Sequence, residues 1–351
     1  MLQKPAVALA FTVVLLSSAA FGQDVNQPAS QSRTEGRPTL SLPINCQPAR
    51  DCWLVNFVDV DSGPGVRDYT CGKRSYDGHK GIDLAIRDLT EMIKGVPVVA
   101  SADGVVKAVR DGMEDIDVTI AGLKSVEGRE CGNGLVVRHR GGWETQYCHL
   151  RRGSVAVKAG DAVSQGQRLG LVGNSGRAQF PHVHLSVRQG KTVIDPFVGV
   201  VQEGGGAKKC GLGPAPLWSK AALAALSVPA TALFNAGFAV AAPDPKVARS
   251  GLLAAAQLPS DAPALVLWVD MYWVEAGDQL RFSIIGPGGK PITSKTIAIT
   301  MTQARRFSFV GKKRKASSWP AGSYRGEVLL SRKAGAGSPL RLSVVRVVEL
   351  R

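Results

Sequence analysis

The chain has only five histidines, and two of them, His182 and His184, are separated by a single residue. The apolar and β-branched residues around this pair predict a strand, on which alternate side chains point to the same face. His182 and His184 would therefore share one face, while Val183 and Leu185 would point into a core. Two polar side chains on a solvated strand face remain the alternative interpretation of this segment alone.

Two further segments contain residues that commonly bind metals. His79 and Asp83 are four positions apart, and they would share a face if this segment is extended. Another polar position is His149, which follows Tyr147-Cys148 and precedes Leu150. Two histidines and one aspartate are a familiar zinc ligand set, and three protein ligands leave one coordination position open, as catalytic zinc requires.

In chain order, these residues form the patterns His-x-x-x-Asp, Tyr-x-His-Leu and Pro-His-x-His. The set resembles the lysostaphin/LytM-type zinc endopeptidases, which cleave peptidoglycan peptides. Segments punctuated by glycine also resemble that family: 96–106, 132–137, 160–167 and 170–176. The resemblance covers roughly residues 45–200, and it is specific because all the motifs occur together and in order. It implies an all-β catalytic domain built on an antiparallel β-sheet.

The resemblance also implies a role for each residue of the site. His79, Asp83 and His184 would bind Zn2+, with water in the fourth position. The chain has no His-Glu-x-x-His motif that would supply a glutamate as general base. His182 would instead accept the proton of the zinc-activated water, since histidine has an unperturbed pKa of about 6.5. His149 would share this role or protonate the leaving amine.

The chain departs from the family pattern at Ser186, where the family commonly has an acid two residues after the second histidine. This change affects a contact that supports a ligand, and it leaves the ligands themselves in place. The family also uses a tyrosine near the oxyanion, for which Tyr69 and Tyr76 are both available. Residues 113–130 have no close counterpart in the family's core, so the resemblance implies an inserted loop here. Its five acids would either influence substrate choice or be solvated.

The length of 351 residues suggests two domains. Residues 1–22 predict a secretory signal peptide, with Lys4, an apolar run and the cleavage site Ala20-Phe21-Gly22. The apolar run is short for a membrane anchor. We therefore expect a periplasmic or secreted protein without a transmembrane span. Residues 23–44 are rich in polar residues and proline, and they predict a flexible leader.

Six cysteines without a Cys-x-x-Cys motif agree with an oxidising compartment and with disulfide bonds. Cys131 and Cys148 flank one predicted hairpin and are the first predicted pair. This bond requires the chain before Gly132 to curl back. The remaining predicted pairs are Cys52–Cys71 and Cys46–Cys210.

The predicted endopeptidase domain spans residues 45–203, and a predicted linker spans 204–229. Residues 230–351 contain short runs with alternating apolar residues between Gly/Pro turns, which predict a small immunoglobulin-like β-sandwich. Residues 201–351 hold 20 Lys and Arg against 8 Asp and Glu, a net charge of +12, and they contain no histidine.

In an exported protein, this charge favours anionic envelope polymers over nucleic acid as the partner of the C-terminal domain. A compact cationic segment is Lys312-Lys313-Arg314-Lys315. A basic surface that only keeps the domain soluble is the alternative interpretation.

With the export signal, the resemblance to the lysostaphin/LytM-type family implies an exported zinc metalloendopeptidase that hydrolyses peptide bonds in peptidoglycan stem peptides or crossbridges. The complete set of five site residues favours this enzyme over two alternatives. One is a non-catalytic envelope-binding module that activates another cell-wall hydrolase. The other is a disulfide-rich structural envelope protein with a relic zinc site.

Overall fold

A computed structural model of the chain describes residues 1–2, 36–199, 210–229, 231–333 and 339–351. Most of the predicted signal peptide, the predicted leader up to residue 35 and residues 204–209 of the predicted linker lie outside these described residues. Within the described ranges, no helix is long and apolar enough to cross a membrane.

The first part of the chain is built mainly from antiparallel strands. Its strands are β1 (Cys52–Asn56), β2 (Ile82–Ile86), β3 (Pro97–Val99), β4 (Gly104–Arg110), β5 (Asn133–Arg138), β6 (Trp143–Leu150), β7 (Ala162–Val163), β8 (Arg168–Leu171), β9 (His182–Gln189) and β10 (Thr192–Val193). One sheet has the order β1-β2-β9-β6-β5-β4-β7 with β10 beside β9, and β3 pairs separately with β8. The connections contain α1 (Leu89–Lys94), α2 (Val118–Ala121) and the 3-10 turns Leu123–Val126 and Arg140–Gly142.

Apolar side chains at alternate positions of the strands give the large sheet one face that is buried in the first hydrophobic core. Val183, Leu185 and Val187 of β9 are buried in the first hydrophobic core, as the alternation predicts. The same core also contains Leu40, from the predicted leader, and Trp218, from the predicted linker. A short helix, α3 (Lys220–Leu226), adds two further buried residues to this core.

Three disulfide bonds connect all six cysteines. The predicted Cys131–Cys148 bond is confirmed. It forms because the chain before β5 curls back through Gly132, which has a positive φ of 62°. The predicted Cys52–Cys71 and Cys46–Cys210 pairs are wrong, since the bonds are Cys46–Cys52 and Cys71–Cys210. A turn of residues 47–51 folds Cys46 back onto β1, which the strand pattern alone does not reveal.

The second part of the chain forms two further sheets. Its strands are β11 (Ala232–Ala239), β12 (Gln257–Leu258), β13 (Ala264–Val274), β14 (Gln279–Ile285), β15 (Pro291–Ala298), β16 (Gln303–Lys313), β17 (Gly322–Arg332) and β18 (Leu340–Leu350). One sheet has the order β11-β13-β16, and the other has the order β12-β18-β17-β14-β15. Neighbours are antiparallel except β12 and β18. Helix α4 (Pro245–Arg249) and the 3-10 turn Pro287–Gly289 lie in the connections.

The two sheets enclose a second hydrophobic core. Alternate residues of β13 and β14 contribute to it, including Leu267, Val269 and Phe282. The all-β architecture with antiparallel sheets and a C-terminal β-sandwich is therefore confirmed. Near the start of β17, the Tyr324 hydroxyl donates to the Pro320 carbonyl at 2.9 Å, as in the tyrosine corner of immunoglobulin domains. This bond and the strand order favour the immunoglobulin-like assignment, which stays a prediction.

Candidate metal centre

Strands β2 and β9 are antiparallel neighbours, and their register places Asp83 opposite His184. Directly paired residues of antiparallel strands point to the same face, so these two side chains meet. The distance between His184 Nδ1 and Asp83 Oδ1 is 2.8 Å. Ile82 and Leu84 point to the other face and are buried in the first core, as the sequence predicts.

His79 reaches this pair from the segment before β2. Its Nε2 atom lies 3.2 Å from Asp83 Oδ1 and 3.1 Å from His184 Nδ1. The close approach requires Gly81, because a Cβ atom there would lie 2.5 Å from both His184 Nε2 and the Leu185 carbonyl oxygen. Sequence reasoning did not identify this glycine, although its place two residues before Asp83 was an available signal.

His79, Asp83 and His184 each present one donor atom, and the three atoms lie within 4.8 Å of one another. His79 Nδ1 is 2.7 Å from the Phe57 carbonyl and donates to it, which leaves the lone pair on Nε2. The Asn56 side chain donates to Asp83 Oδ2 at 2.8 Å. Two imidazole nitrogens and one carboxylate oxygen are donors that suit zinc.

The charge state of Asp83 also suits a metal ligand. Burial disfavours its charged form, but the neighbouring His79 and His182 outweigh burial and hold the pKa of Asp83 well below its usual range. The carboxylate is therefore ionised at neutral pH and available to a cation.

His182 and His149 lie beside these three residues, with their ring centroids 4.6 Å apart. His182 Nδ1 is 2.8 Å from the Phe180 carbonyl, and His149 Nδ1 is 2.7 Å from the Ser175 carbonyl. Each ring donates Nδ1–H to its carbonyl and keeps a lone pair on Nε2. His182 Nε2 is 3.6 Å from Asp83 Oδ1, so this lone pair faces the metal-ligand group.

Both of these histidines are buried, and burial lowers the pKa of each. The neighbouring His182 and His184 lower the pKa of His149 further. Both rings are therefore neutral near pH 7 and can accept a proton. His149 also has a positive φ of 64°, which is uncommon for a residue other than glycine. Such backbone strain often occurs at functional sites.

The structure distinguishes the two tyrosines that the sequence left open. The Tyr76 ring lies 4.4 Å from the His79 ring, and the residue is 49% exposed. Tyr69 instead stacks on Phe197 at 4.5 Å, against the first core. Tyr76 is therefore the tyrosine that borders the metal-ligand group.

Ser186 and His139 both have structural partners. Ser186 Oγ donates to the Lys80 carbonyl at 2.6 Å, which connects β9 to the segment containing the first ligand. His139 contacts the Asp103 carbonyl at 2.7 Å and Thr145 Oγ1 at 2.9 Å. These contacts give His139 a structural role outside the metal-ligand group.

The acidic segment of residues 113–130 lies against the chain that leads to β9. Asp115 accepts hydrogen bonds from the amides of Arg152 and Asn174 at 2.9 and 2.7 Å. The Val118 amide donates to the Ala178 carbonyl at 2.9 Å. At least one of the five acids thus holds backbone in place, a role that neither sequence interpretation included.

Comparison with known proteins supports the assignment of this region. Residues 77–196 match Peptidase family M23. The peptidoglycan DD-endopeptidase ShyA of Vibrio cholerae is 37% identical over 109 residues, which cover 31% of this chain and 20% of that protein. The DD-carboxypeptidase/endopeptidase Mpg of Neisseria meningitidis is 35% identical over 118 residues, which cover 34% of this chain and 22% of that protein. The chain thus spans about a fifth of the length of these curated relatives.

Among solved structures, the catalytic domain of lysostaphin from Staphylococcus simulans is similar, with 20% identity and a TM-score of 0.26. The match covers 40% of this chain and 85% of that domain. Together, the family match and the named relatives identify the region that contains the metal-ligand group. The chain contains a Peptidase family M23 domain, to which residues 77–196 match.

Proposed function

We propose that this chain is a zinc-dependent metalloendopeptidase that hydrolyses peptide bonds in peptidoglycan stem peptides or crossbridges. The observation that carries the proposal is the convergence of donor atoms from His79, Asp83 and His184 beside the buried His149 and His182. The names of the relatives, a peptidoglycan DD-endopeptidase and a DD-carboxypeptidase/endopeptidase, support a peptidoglycan substrate.

Zinc would be held by His79 Nε2, Asp83 Oδ1 and His184 Nδ1, a donor set that fits this metal. When bound, it supplies a Lewis acid that polarises a peptide carbonyl and lowers the pKa of water. The hydrogen bonds to Phe57 and from Asn56 orient His79 and Asp83 toward the ion.

His182 would accept the proton of the attacking water at Nε2, because its Nδ1–H is already donated to Phe180 and burial keeps the ring neutral. His149, with its ring beside that of His182, would share this role or protonate the leaving amine. Tyr76, next to His79, would donate a hydrogen bond to the substrate oxygen as negative charge develops on it.

We also propose that the protein acts outside the cytoplasm, in the periplasm or after secretion. Three disulfide bonds support an oxidising compartment. The signal peptide predicted for residues 1–22 would direct this export. The basic C-terminal domain would then bind anionic envelope polymers.

A set of histidine variants tests the proposed mechanism. We expect the wild-type protein to contain about one zinc per chain and to release soluble fragments from purified peptidoglycan. His184→Ala should lose both the zinc and the activity. His182→Ala and His149→Ala should keep the zinc but lose turnover by about 100-fold or more. His139→Gln changes the histidine that belongs neither to the metal-ligand group nor to the pair of His149 and His182. This variant should retain both the zinc and the activity.

Elemental analysis and mass analysis of the released fragments measure these outcomes. A zinc-loaded protein without any turnover would contradict the proposed function and favour a binding module. If His182→Ala lost zinc while His184→Ala retained it, the proposed roles of these two histidines would be reversed. The fragment masses would identify the bond that is cut.

A further inference from the structure

The C-terminal sandwich packs on the same face of the large sheet that presents the metal-ligand group. Trp53 pairs with Ala85, and Ala85 pairs with His182, so these three side chains share one face. Asp83 lies two residues before Ala85 and therefore points to this face as well. The second domain thus contacts the sheet immediately beside the proposed active site.

A separate hydrophobic cluster forms this contact. Trp53, Val55 and Ala85 of the large sheet are buried against four residues of β11 and β13, Ala232, Phe234, Tyr272 and Trp273. The indole nitrogen of Trp273 also donates to the Val55 carbonyl. The face of the sandwich that meets the M23 domain is therefore buried and apolar.

Phe180 connects this contact to the site. Its ring lies 4.8 Å from the His182 ring and 5.9 Å from the Tyr272 ring. Its carbonyl accepts the Nδ1–H of His182 at 2.8 Å. Any shift of Phe180 would therefore change both the ring packing and the hydrogen bond that orient the proposed general base.

Arg305 of β16 lies over the Phe180 ring. Its guanidinium carbon lies 5.4 Å from the centroid of Phe180, 5.2 Å from that of Phe234 and 5.6 Å from that of Tyr272. Asp270, which is 1% exposed, accepts hydrogen bonds from Arg305 Nε and Nη2 at 3.2 and 2.9 Å. The register pairs Arg305 with Tyr272 and Phe307 with Asp270, so Arg305 and Asp270 are diagonal neighbours on one face of the sheet.

An arginine suits this position for a geometric reason. Its planar guanidinium can stack on aromatic rings while it donates to one carboxylate in a fixed direction. A buried ion pair often adds little stability compared with apolar residues of similar volume, because both charges must be desolvated. The aromatic contacts and the fixed direction therefore favour a role in orientation over a role in stability alone.

We propose that Arg305 is a positioning residue, which holds Phe180 against His182 and thereby lets the C-terminal sandwich complete the M23 active site. This inference rests on the proposed function, in which His182 accepts the proton. It assigns the second domain a part in catalysis without contact with the substrate.

Two substitutions at Arg305 test the proposal in the full-length, zinc-loaded protein. Arg305→Met keeps the side-chain volume, and Arg305→Lys keeps the charge without the planar group. We expect Arg305→Met to lower kcat on a soluble peptidoglycan peptide by about 10- to 100-fold, with little change in KM and zinc content. Arg305→Lys should restore only a small part of kcat, since it cannot stack in the same way.

Arg332→Met is the matched control. Arg332 also bonds a buried aspartate, Asp278, and its side chain is 21% exposed against 19% for Arg305. Its described partners, Asp278, Glu275, Thr231 and Trp273, all belong to the second domain. Trp273 also packs on the large sheet, so this control shares the interdomain contact but lacks the stacking on Phe180 that Arg305 makes. We expect this variant to lower the melting temperature at least as much as Arg305→Met does, while kcat stays within about twofold.

A double-mutant cycle tests whether Arg305 acts through Phe180. Phe180→Leu should lower kcat as Arg305→Met does, and the double variant should be no worse than the more impaired single variant. Unchanged kcat in Arg305→Met, or independent effects of the two substitutions, would overturn the proposal. Equal losses of kcat in Arg305→Met and Arg332→Met would also overturn it, because both would then reflect stability.

The Nδ1–H resonance of His182 in NMR spectra gives a readout independent of turnover. We expect this proton to be protected from exchange in the wild-type and Arg332→Met proteins and to exchange faster in Arg305→Met. If the wild-type protein had no activity, the proposed function would fail, but this resonance would still decide whether Arg305 positions His182. An unchanged exchange rate in Arg305→Met would refute the positioning role.

Discussion

In three of the four site histidines, a hydrogen bond to a backbone carbonyl decides which nitrogen is available for chemistry. His79 donates to Phe57, His182 donates to Phe180, and each keeps Nε2 free for a metal or a proton. His184 differs, because its Nδ1 atom itself faces Asp83. The sequence predicted which histidines form the site through the resemblance of their motifs to the lysostaphin/LytM-type family. The sequence could not predict which ring nitrogen of each histidine keeps its lone pair, because the carbonyl partner depends on the local path of the backbone.

A buried acid outside the site allows a prediction at the same scale. Asp195 follows β10, is 7% exposed and accepts a hydrogen bond from the Phe197 amide at 2.8 Å. Its other carboxylate oxygen has no hydrogen-bond partner within the described part of the chain. Burial, and then the charge of Asp68, raise the pKa of Asp195 to about 7.

Because the pKa is higher in the folded protein than in the unfolded chain, the stability that Asp195 contributes is fully present below about pH 4. It is lost as the pH rises through about 7. We expect the free energy of unfolding to fall by about 2–3 kcal/mol from this residue between pH 5 and pH 8. Asp195→Asn should remove that fall. Denaturant unfolding across this range, with the exposed Asp261→Asn as control, measures the difference, and parallel curves for all three proteins would contradict it.

At the scale of elements, alternation predicted the faces of β2 and β9, whose core residues and site residues point to opposite sides, but it did not predict that the two strands pair. The segments around them were less predictable. His79 lies outside β2, and its approach depends on the missing side chain of Gly81. The Cys46–Cys52 bond depends on a turn, whose geometry the cysteine spacing does not contain.

Gly81→Ala tests how strictly the site depends on this close approach. The added Cβ atom would lie 2.5 Å from His184 Nε2 and from the Leu185 carbonyl, so β9 or the His79 segment must move. We expect about a 10-fold or greater loss of zinc affinity, because the ligand atoms would separate. Competition with a chelator of known affinity measures this loss.

Gly104→Ala is the matched control for this variant. The Cβ atom at this position would lie 2.6 Å from the Arg138 carbonyl and 2.9 Å from His139 Nδ1. His139 is the one histidine of the chain that is not part of the proposed site. Both substitutions should lower the melting temperature through similar clashes, but only Gly81→Ala should weaken zinc binding. Equal zinc affinity in the two variants would show that the site tolerates the movement.

At the scale of the whole molecule, the sandwich itself was predictable, whereas its packing on the M23 domain was not inferred. Strand β13 carried an overlooked signal, because Leu265 to Val274 contains one charged residue, Asp270. A continuous apolar run is typical of a strand buried on both faces. One face of β13 lies in the sandwich core, and the other packs on α4 and on the large sheet.

This packing determines how envelope binding by the C-terminal domain can be tested. Removing the domain would expose Trp53 and Val55, so a truncated chain would confuse binding with stability. Lys312, Lys313 and Lys315 are exposed, and their side chains can be changed to glutamine without opening a core. We expect the triple variant to bind purified sacculi at least about threefold more weakly at low salt, because each exposed charge contributes about 0.2–1 kcal/mol.

A second triple variant carries the same change in charge on the M23 domain, at the exposed Lys124, Lys158 and Lys191. Sedimentation with sacculi should weaken less in this control than in the Lys312, Lys313 and Lys315 variant. The difference should vanish at high salt, where exposed charges are screened within a few ångströms. If both triple variants bound equally at low salt, net charge alone would explain the attraction, and the segment around Lys313 would have no particular role.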